Sequence, residues 1–267
     1  MKKCFLIMLL LFVFSCNTKV DEEITKETVL EEETTTSKYQ GEEPTTPEAT
    51  EVYEPVPPKV TQDINGVPSD AIVLFDGTNL DEWMNPADST AAQWHLNGDR
   101  SMTVKDKSGN IRTKRSFGSM QLHLEWKSPV AILNEGQARA NSGVFIQERY
   151  EVQILDNNNN PTYTNGQVGA LYKQGVPLAM ASAPTGEWNS YDIIFHAPEF
   201  EEENLTKPAY VTVLHNGVLI QDHFEIEGTI KYIGWPKYEA HSKAPIILQD
   251  HQDNSRVSYR NIWVREL

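Results

Sequence analysis

Through the C-terminal part of the chain, apolar side chains recur at every second position, in runs too short for anything but strands. Gln121-Leu122-His123-Leu124-Glu125-Trp126, Tyr150-Glu151-Val152-Gln153-Ile154 and Tyr191-Asp192-Ile193-Ile194-Phe195 all alternate in this way, the period of an extended chain with one buried face. Asn216-Gly217 separates two more such runs, 210–215 and 218–222, and this dipeptide is the type I′ signal of an antiparallel hairpin. Residues 244–251 and 259–265 read as two further strands across a polar turn. No long amphipathic helix pattern, internal repeat or nucleotide-binding glycine motif interrupts them, so the expected fold is all-β, two antiparallel sheets packed as a sandwich.

The first 68 residues have a different character. Lys2-Lys3 followed by the apolar run Cys4 to Phe14 has the form of a secretory signal, too short to span a bilayer as a mature helix. Its end, Val13-Phe14-Ser15-Cys16, resembles a bacterial lipobox, which makes residues 1–16 a signal peptide and Cys16 a lipidated anchor to the membrane. With Cys4 removed and Cys16 capped, the mature chain keeps no free cysteine, excluding disulfide stapling and thiol catalysis. Residues 17–68 hold thirteen acids against four lysines and are rich in Thr and Pro, the composition of a stalk that buries too little to order itself. The expected domain is 69–267. The expected location is the cell envelope, periplasmic or surface-facing. A formal net charge of −15 makes nucleic acid a poor partner.

Candidate chemistry lies on the polar faces of the strands. Glu151 and Gln153 project together from their strand and Asp156 follows, a spacing similar to the strand signature of sandwich glycosidases, although Gln153 stands where a second acid would be. A solvated face with Glu151 paired to Arg149 or Arg139 explains the same pattern. Gln249-Asp250-His251 is the second candidate, because an imidazole suits proton transfer near neutrality. If the strands at 121–126, 150–154 and 244–251 are neighbours, their amides, carboxylates and imidazoles line one face. Trp126 and Trp263 read as core, and Trp188, in Gly186-Glu187-Trp188-Asn189, as a cleft residue. The seven histidines form no HExxH pair, and no GxSxG elbow occurs, which argues against a zinc protease or an elbow hydrolase.

Taken in order, Leu74-Phe75-Asp76-Gly77-Thr78-Asn79-Leu80, Asn141-Ser142-Gly143-Val144-Phe145, Tyr150 to Asp156, Gly169-Ala170-Leu171-Tyr172, Gly186-Glu187-Trp188-Asn189, Leu214-His215-Asn216-Gly217, Gln249-Asp250-His251 and Arg260-Asn261-Ile262 resemble the 3-keto-disaccharide hydrolase domain family. The chain departs from the family pattern at Asn157 to Asn160 and around His95 to Ser101. The resemblance implies a concanavalin-like jelly-roll sandwich and cleavage of 3-oxo-glycosides by elimination and hydration. On that reading Glu151 and His251 transfer protons. Asn141, Gln153 and Arg260 hold sugar oxygens or polarise the ketone, Trp188 lines the cleft, and Asp156 or Asp250 orients the histidine or another donor. A divalent cation ligated by Glu151 and His251 is an alternative way to polarise the ketone. The same sandwich also serves lectin-like carbohydrate receptors, so a binding lipoprotein and an ordinary retaining glycosidase stay open as rivals.

Overall fold

The computed structural model describes residues 41–267. The expected signal peptide, Cys16 and the stalk up to residue 40 lie outside the described residues. Contacts divide the chain into two units, 1–57 and 58–267. The described part of the first, 41–57, is exposed throughout and holds one 3-10 turn, Pro47–Thr50.

The second unit contains fifteen strands: β1 (Ile72–Phe75), β2 (Trp83–Met84), β3 (His95–Leu96), β4 (Met102–Thr103), β5 (Ile111–Thr113), β6 (Met120–Lys127), β7 (Ser142–Ile146), β8 (Tyr150–Ile154), β9 (Asn189–His196), β10 (Glu199–Glu201), β11 (Asn204–Lys207), β12 (Tyr210–His215), β13 (Val218–Glu225), β14 (Ile247–Leu248) and β15 (Ser258–Glu266). The larger sheet runs β13-β12-β9-β6-β15-β4-β3, with β1 also on β15. The smaller runs β2-β5-β14-β7-β8, and β10-β11 is a separate hairpin. Every pairing is antiparallel. The two-sheet sandwich is as the alternation implied.

Period-two phasing decides what each sheet buries. From β6, Met120, Leu122, Leu124 and Trp126 face inward, meeting Val144 and Ile146 of β7 and Tyr150, Val152 and Ile154 of β8 in one core. Asn216 and Gly217 take left-handed φ values of 51° and 78° and pair His215 with Val218, as the Asn-Gly signal requires. The strand expected over 244–251 shortens to Ile247–Leu248. Pro245 has no N–H to give, the Ile246 N–H goes to Thr113 Oγ1, and the Asp250 N–H to Asn110 Oδ1, so side chains end the ladder early.

The folded unit begins at Pro58 rather than at Ser69. Gln62 bridges Pro68, which is buried, Asp63 Oδ1 accepts the Asn65 and Val67 N–H groups, and Asn261 Nδ2 reaches the Asn65 carbonyl at 3.4 Å. This short turn satisfies its own polar groups locally, which composition does not report.

Candidate active site

The hairpin of β7 and β8 carries the site. Ile146 pairs with Tyr150, Phe145 with Glu151 and Gly143 with Gln153. Since Tyr150, Val152 and Ile154 go to the core, Glu151 and Gln153 lie on the outer face of the smaller sheet. The segment 169–172 then adds to the free edge of β8: the Gln153 N–H donates to Ala170 O, Gly169 N–H to Gln153 O and Tyr172 N–H to Glu151 O. This extension sets the Tyr172 side chain beside Glu151. On the other flank Gln249 follows β14, its N–H bonded to Gly143 O.

Glu151 is 4% exposed and forms no ion pair. Burial pushes its carboxyl up to about 8, so at neutral pH it is mostly the protonated acid. A Cβ at Gly143 would collide with Glu151 Oε1, and the glycine thus opens the hollow that the carboxyl fills. Neither arginine offered by the sequence serves it: Arg139 pairs with Asp156 at 3.2 Å, and Arg149 donates to Gln147 O. With its amide nitrogen turned to Glu151, Gln153 donates to Oε1 at 3.2 Å and to Ser142 O at 3.1 Å. In the opposite orientation it donates to Gln137 Oε1 at 3.1 Å. Asn141 Nδ2 donates to the Gln137 carbonyl at 2.6 Å, so the two amides hold the turn at residues 136–138 against the hairpin. The Tyr172 hydroxyl lies 2.8 Å from that of Tyr163, and its ionisation is pushed upward by burial, by that hydrogen bond and by Tyr163, then by Glu151.

His251 continues the phase of Ile247 and Gln249 beyond β14 and is exposed. Its Nδ1 lies 2.8 Å from Asp253 Oδ2, a contact that orients the ring and, in the neutral Nδ1–H tautomer, leaves Nε2 free to accept. The orienting acid is thus Asp253, which the sequence reading missed although it stands two residues on. Asp250 and Asp156 make their hydrogen bonds to other donors. Asp250 accepts the Gly109 and Gln252 N–H groups and fastens the loop. Asp156 is buried. Desolvation pushes its carboxyl up, but hydrogen bonds from Thr185, Ser128, Asn158 and Arg139 outweigh this and hold it low.

Arg260 and Trp188 are not at this site. Both lie on the outer face of the larger sheet, where Arg260 pairs with Glu125 at 2.6 Å and stands 4.1 Å from the Trp188 ring centre, with Lys127 Nζ 4.5 Å from that centre. The single polar face anticipated from sequence is therefore two faces, because β6 belongs to one sheet and β8 and β14 to the other. Trp126 is core, whereas Trp263 is buried on that other outer face and stacks on His123 at 5.2 Å. A cavity of about 560 Å³ opens there. Its neighbourhood holds mutually paired polar side chains, Glu125 with Arg260, Asp99 with Lys127 and His123 with Asp192. Such pairing explains the charges without a ligand.

Among the described residues no group of three or more His, Cys, Asp or Glu side chains comes together as a metal site.

A family model described as the 3-keto-alpha-glucoside-1,2-lyase-like domain matches residues 70–265. A crystal structure of a "putative glycosyl hydrolase" from Parabacteroides distasonis is similar at 49% identity and a TM-score of 0.80, covering 83% of this chain and 97% of that one. A second protein of the same description and organism shares the fold at 21% identity and a TM-score of 0.56, covering 74% and 94%. No curated protein matches.

Proposed function

Because the chain belongs to the 3-keto-alpha-glucoside-1,2-lyase-like domain family, we propose that it cleaves 3-oxo-glycosides, including 3-keto-disaccharides, by elimination across C1 and C2 followed by hydration. The observation that carries this reading is Glu151, a carboxyl buried as a neutral acid in a hollow left by Gly143, on the same sheet face as Tyr172 and in phase with His251. The family match and the glycosyl hydrolase description of the 49% identical relative support a carbohydrate substrate.

A ketone at C3 acidifies the C2–H bond, so the aglycone can leave without an oxocarbenium ion. His251 Nε2 takes the C2 proton, and the C–H electron pair becomes an enolate spread over C2, C3 and the ketone oxygen. Collapse of the enolate restores the ketone, forms the C1–C2 double bond and expels the aglycone oxygen, which takes the Glu151 proton. Glu151, now a carboxylate, removes a proton from water as the hydroxyl bonds to C1, and C2 recovers a proton from His251. Both residues return to their starting states, and the net reaction is hydrolysis. Gln153 and Tyr172 stand beside Glu151 as hydrogen-bond donors for sugar or ketone oxygens.

A retaining glycosidase needs a second carboxyl across the scissile bond. The acids nearest along the hairpin are committed, Glu148 to Arg112 and Asp156 to its own hydrogen bonds. We also infer that lipidation at Cys16 holds the domain at the cell envelope. Turnover of a 3-keto-disaccharide and of its unoxidised parent, with Glu151→Gln alongside, tests the catalytic reading. Cleavage of the oxidised sugar alone, reduced at least 100-fold in the variant, is expected for loss of a proton-transfer group. Full turnover by Glu151→Gln, or cleavage of both sugars, would remove the assignment, and binding without any cleavage would favour a receptor.

A further inference from the structure

The loop from Gly228 to Lys237 carries the most exposed aromatic side chains of the folded unit. Trp235 is 90% exposed, Tyr232 72% and the intervening Ile233 83%, a concentration of apolar surface unusual outside binding sites. Its base is nonetheless fixed. Thr229 N–H donates to Lys237 O at 3.0 Å, and Ile230 N–H to Arg149 O at 3.1 Å, one residue before the strand that bears Glu151. Gln174 clamps the same base, donating to Gly228 O at 3.0 Å and accepting the Glu227 N–H at 2.8 Å. The rings are therefore presented from a fastened base.

Between this loop and the segment beside β8 lies a cavity of about 420 Å³ lined by Asn165, Tyr172, Lys173, Glu227, Tyr232 and Trp235. Lys173 Nζ donates to Tyr232 O at 3.2 Å and lies 4.9 Å from the Tyr232 ring centre, bracing one wall. Tyr172 lines this cavity and also stands beside Glu151, so that one side chain borders both.

We propose that this cavity is a saccharide subsite, which takes the sugar ring remote from the one that reacts. A pyranose presents an apolar C–H face and a rim of hydroxyls. The cavity offers the matching pair, exposed indole and phenol rings together with an amide, an ammonium and a carboxylate. A lipid surface would favour an apolar tip without a polar recess beneath it, and the acid excess of the chain repels anionic headgroups. This subsite rests on the proposed function in one respect, that the remote ring is the aglycone of a 3-oxo-disaccharide.

The test uses the full chain and its Trp235→Ala, Trp235→Phe and Tyr232→Ala variants. It compares kcat/KM for a 3-keto-disaccharide with that for methyl 3-keto-glucoside, and measures binding of the unoxidised parent disaccharide by calorimetry. The disaccharide-to-methyl ratio and the parent affinity should each fall about tenfold in the alanine variants, the scale of one lost ring stack, with Trp235→Phe intermediate. An unchanged ratio and affinity, with turnover intact, overturns the subsite and leaves the proposed reaction standing. Absence of turnover on either oxidised sugar, with Trp235-dependent binding of the parent, discards the reaction and keeps the subsite. A loss confined to binding of phosphatidylcholine vesicles overturns the subsite in favour of a membrane contact.

Discussion

At the scale of single residues, Glu151 dominates because its environment and its chemistry pull in the same direction. The folded chain keeps this carboxyl protonated up to about pH 8, whereas an exposed glutamate ionises near the ordinary value of 4.5. The unfolded state therefore releases its proton first, and the stability linked to this residue is full below about pH 4.5 and is lost as pH rises to about 8. The loss is on the order of a few kcal/mol. Urea unfolding from pH 5 to 9 should show wild-type stability declining relative to Glu151→Gln over this window, and parallel curves would mean that the carboxyl is not held neutral. Identity and strand phase of Glu151 were legible in the sequence. Its isolation from Arg139 and Arg149 was not, because those arginines are drawn away by Asp156 and the Gln147 carbonyl, partners fixed only by folding.

At the scale of elements, the β7–β8 hairpin and its edge extension form the smallest piece that makes chemical sense. Gly143 sits opposite Gln153, and the hollow above it is occupied by Glu151. Gly143→Ala should cost about 1–3 kcal/mol from overcrowding a packed position, read as a lower urea midpoint, and should lower kcat by displacing the carboxyl. Wild-type stability and turnover in that variant would show that the glycine has no part in the site. Alternation was enough to place Glu151 and Gln153 on a common face and to fix the Asn216-Gly217 hairpin. It could not tell which sheet each strand would join, and for that reason Arg260 and Trp188 were grouped with Glu151 when they belong behind β6 and β9. Tyr172 escaped as a site residue for a related cause: 169–172 has strand-like bonding to β8 but little strand-like patterning, and only its place in the ordered family motif signalled it.

At the scale of the whole molecule, the sandwich separates two outer faces with different uses of charge. On its outer face the larger sheet pairs Glu125 with Arg260 and His123 with Asp192, while the smaller sheet leaves a carboxyl unpaired and buried beside a phenol, with an imidazole farther along the same phase. Contacts place the start of the second unit at Pro58, eleven residues before the boundary that composition suggested, and residues 61–69 form a self-bonded turn within it. The central claim, elimination through a C2 carbanion followed by hydration, is tested most directly by cleaving a 3-keto-disaccharide in D₂O and following C2 of the released 3-keto sugar by NMR, with exchange in the free product measured in parallel. The account predicts deuterium at C2 from the first turnover, ahead of exchange in the free product. Release of a sugar that keeps its C2 proton would contradict it and point to direct displacement at C1.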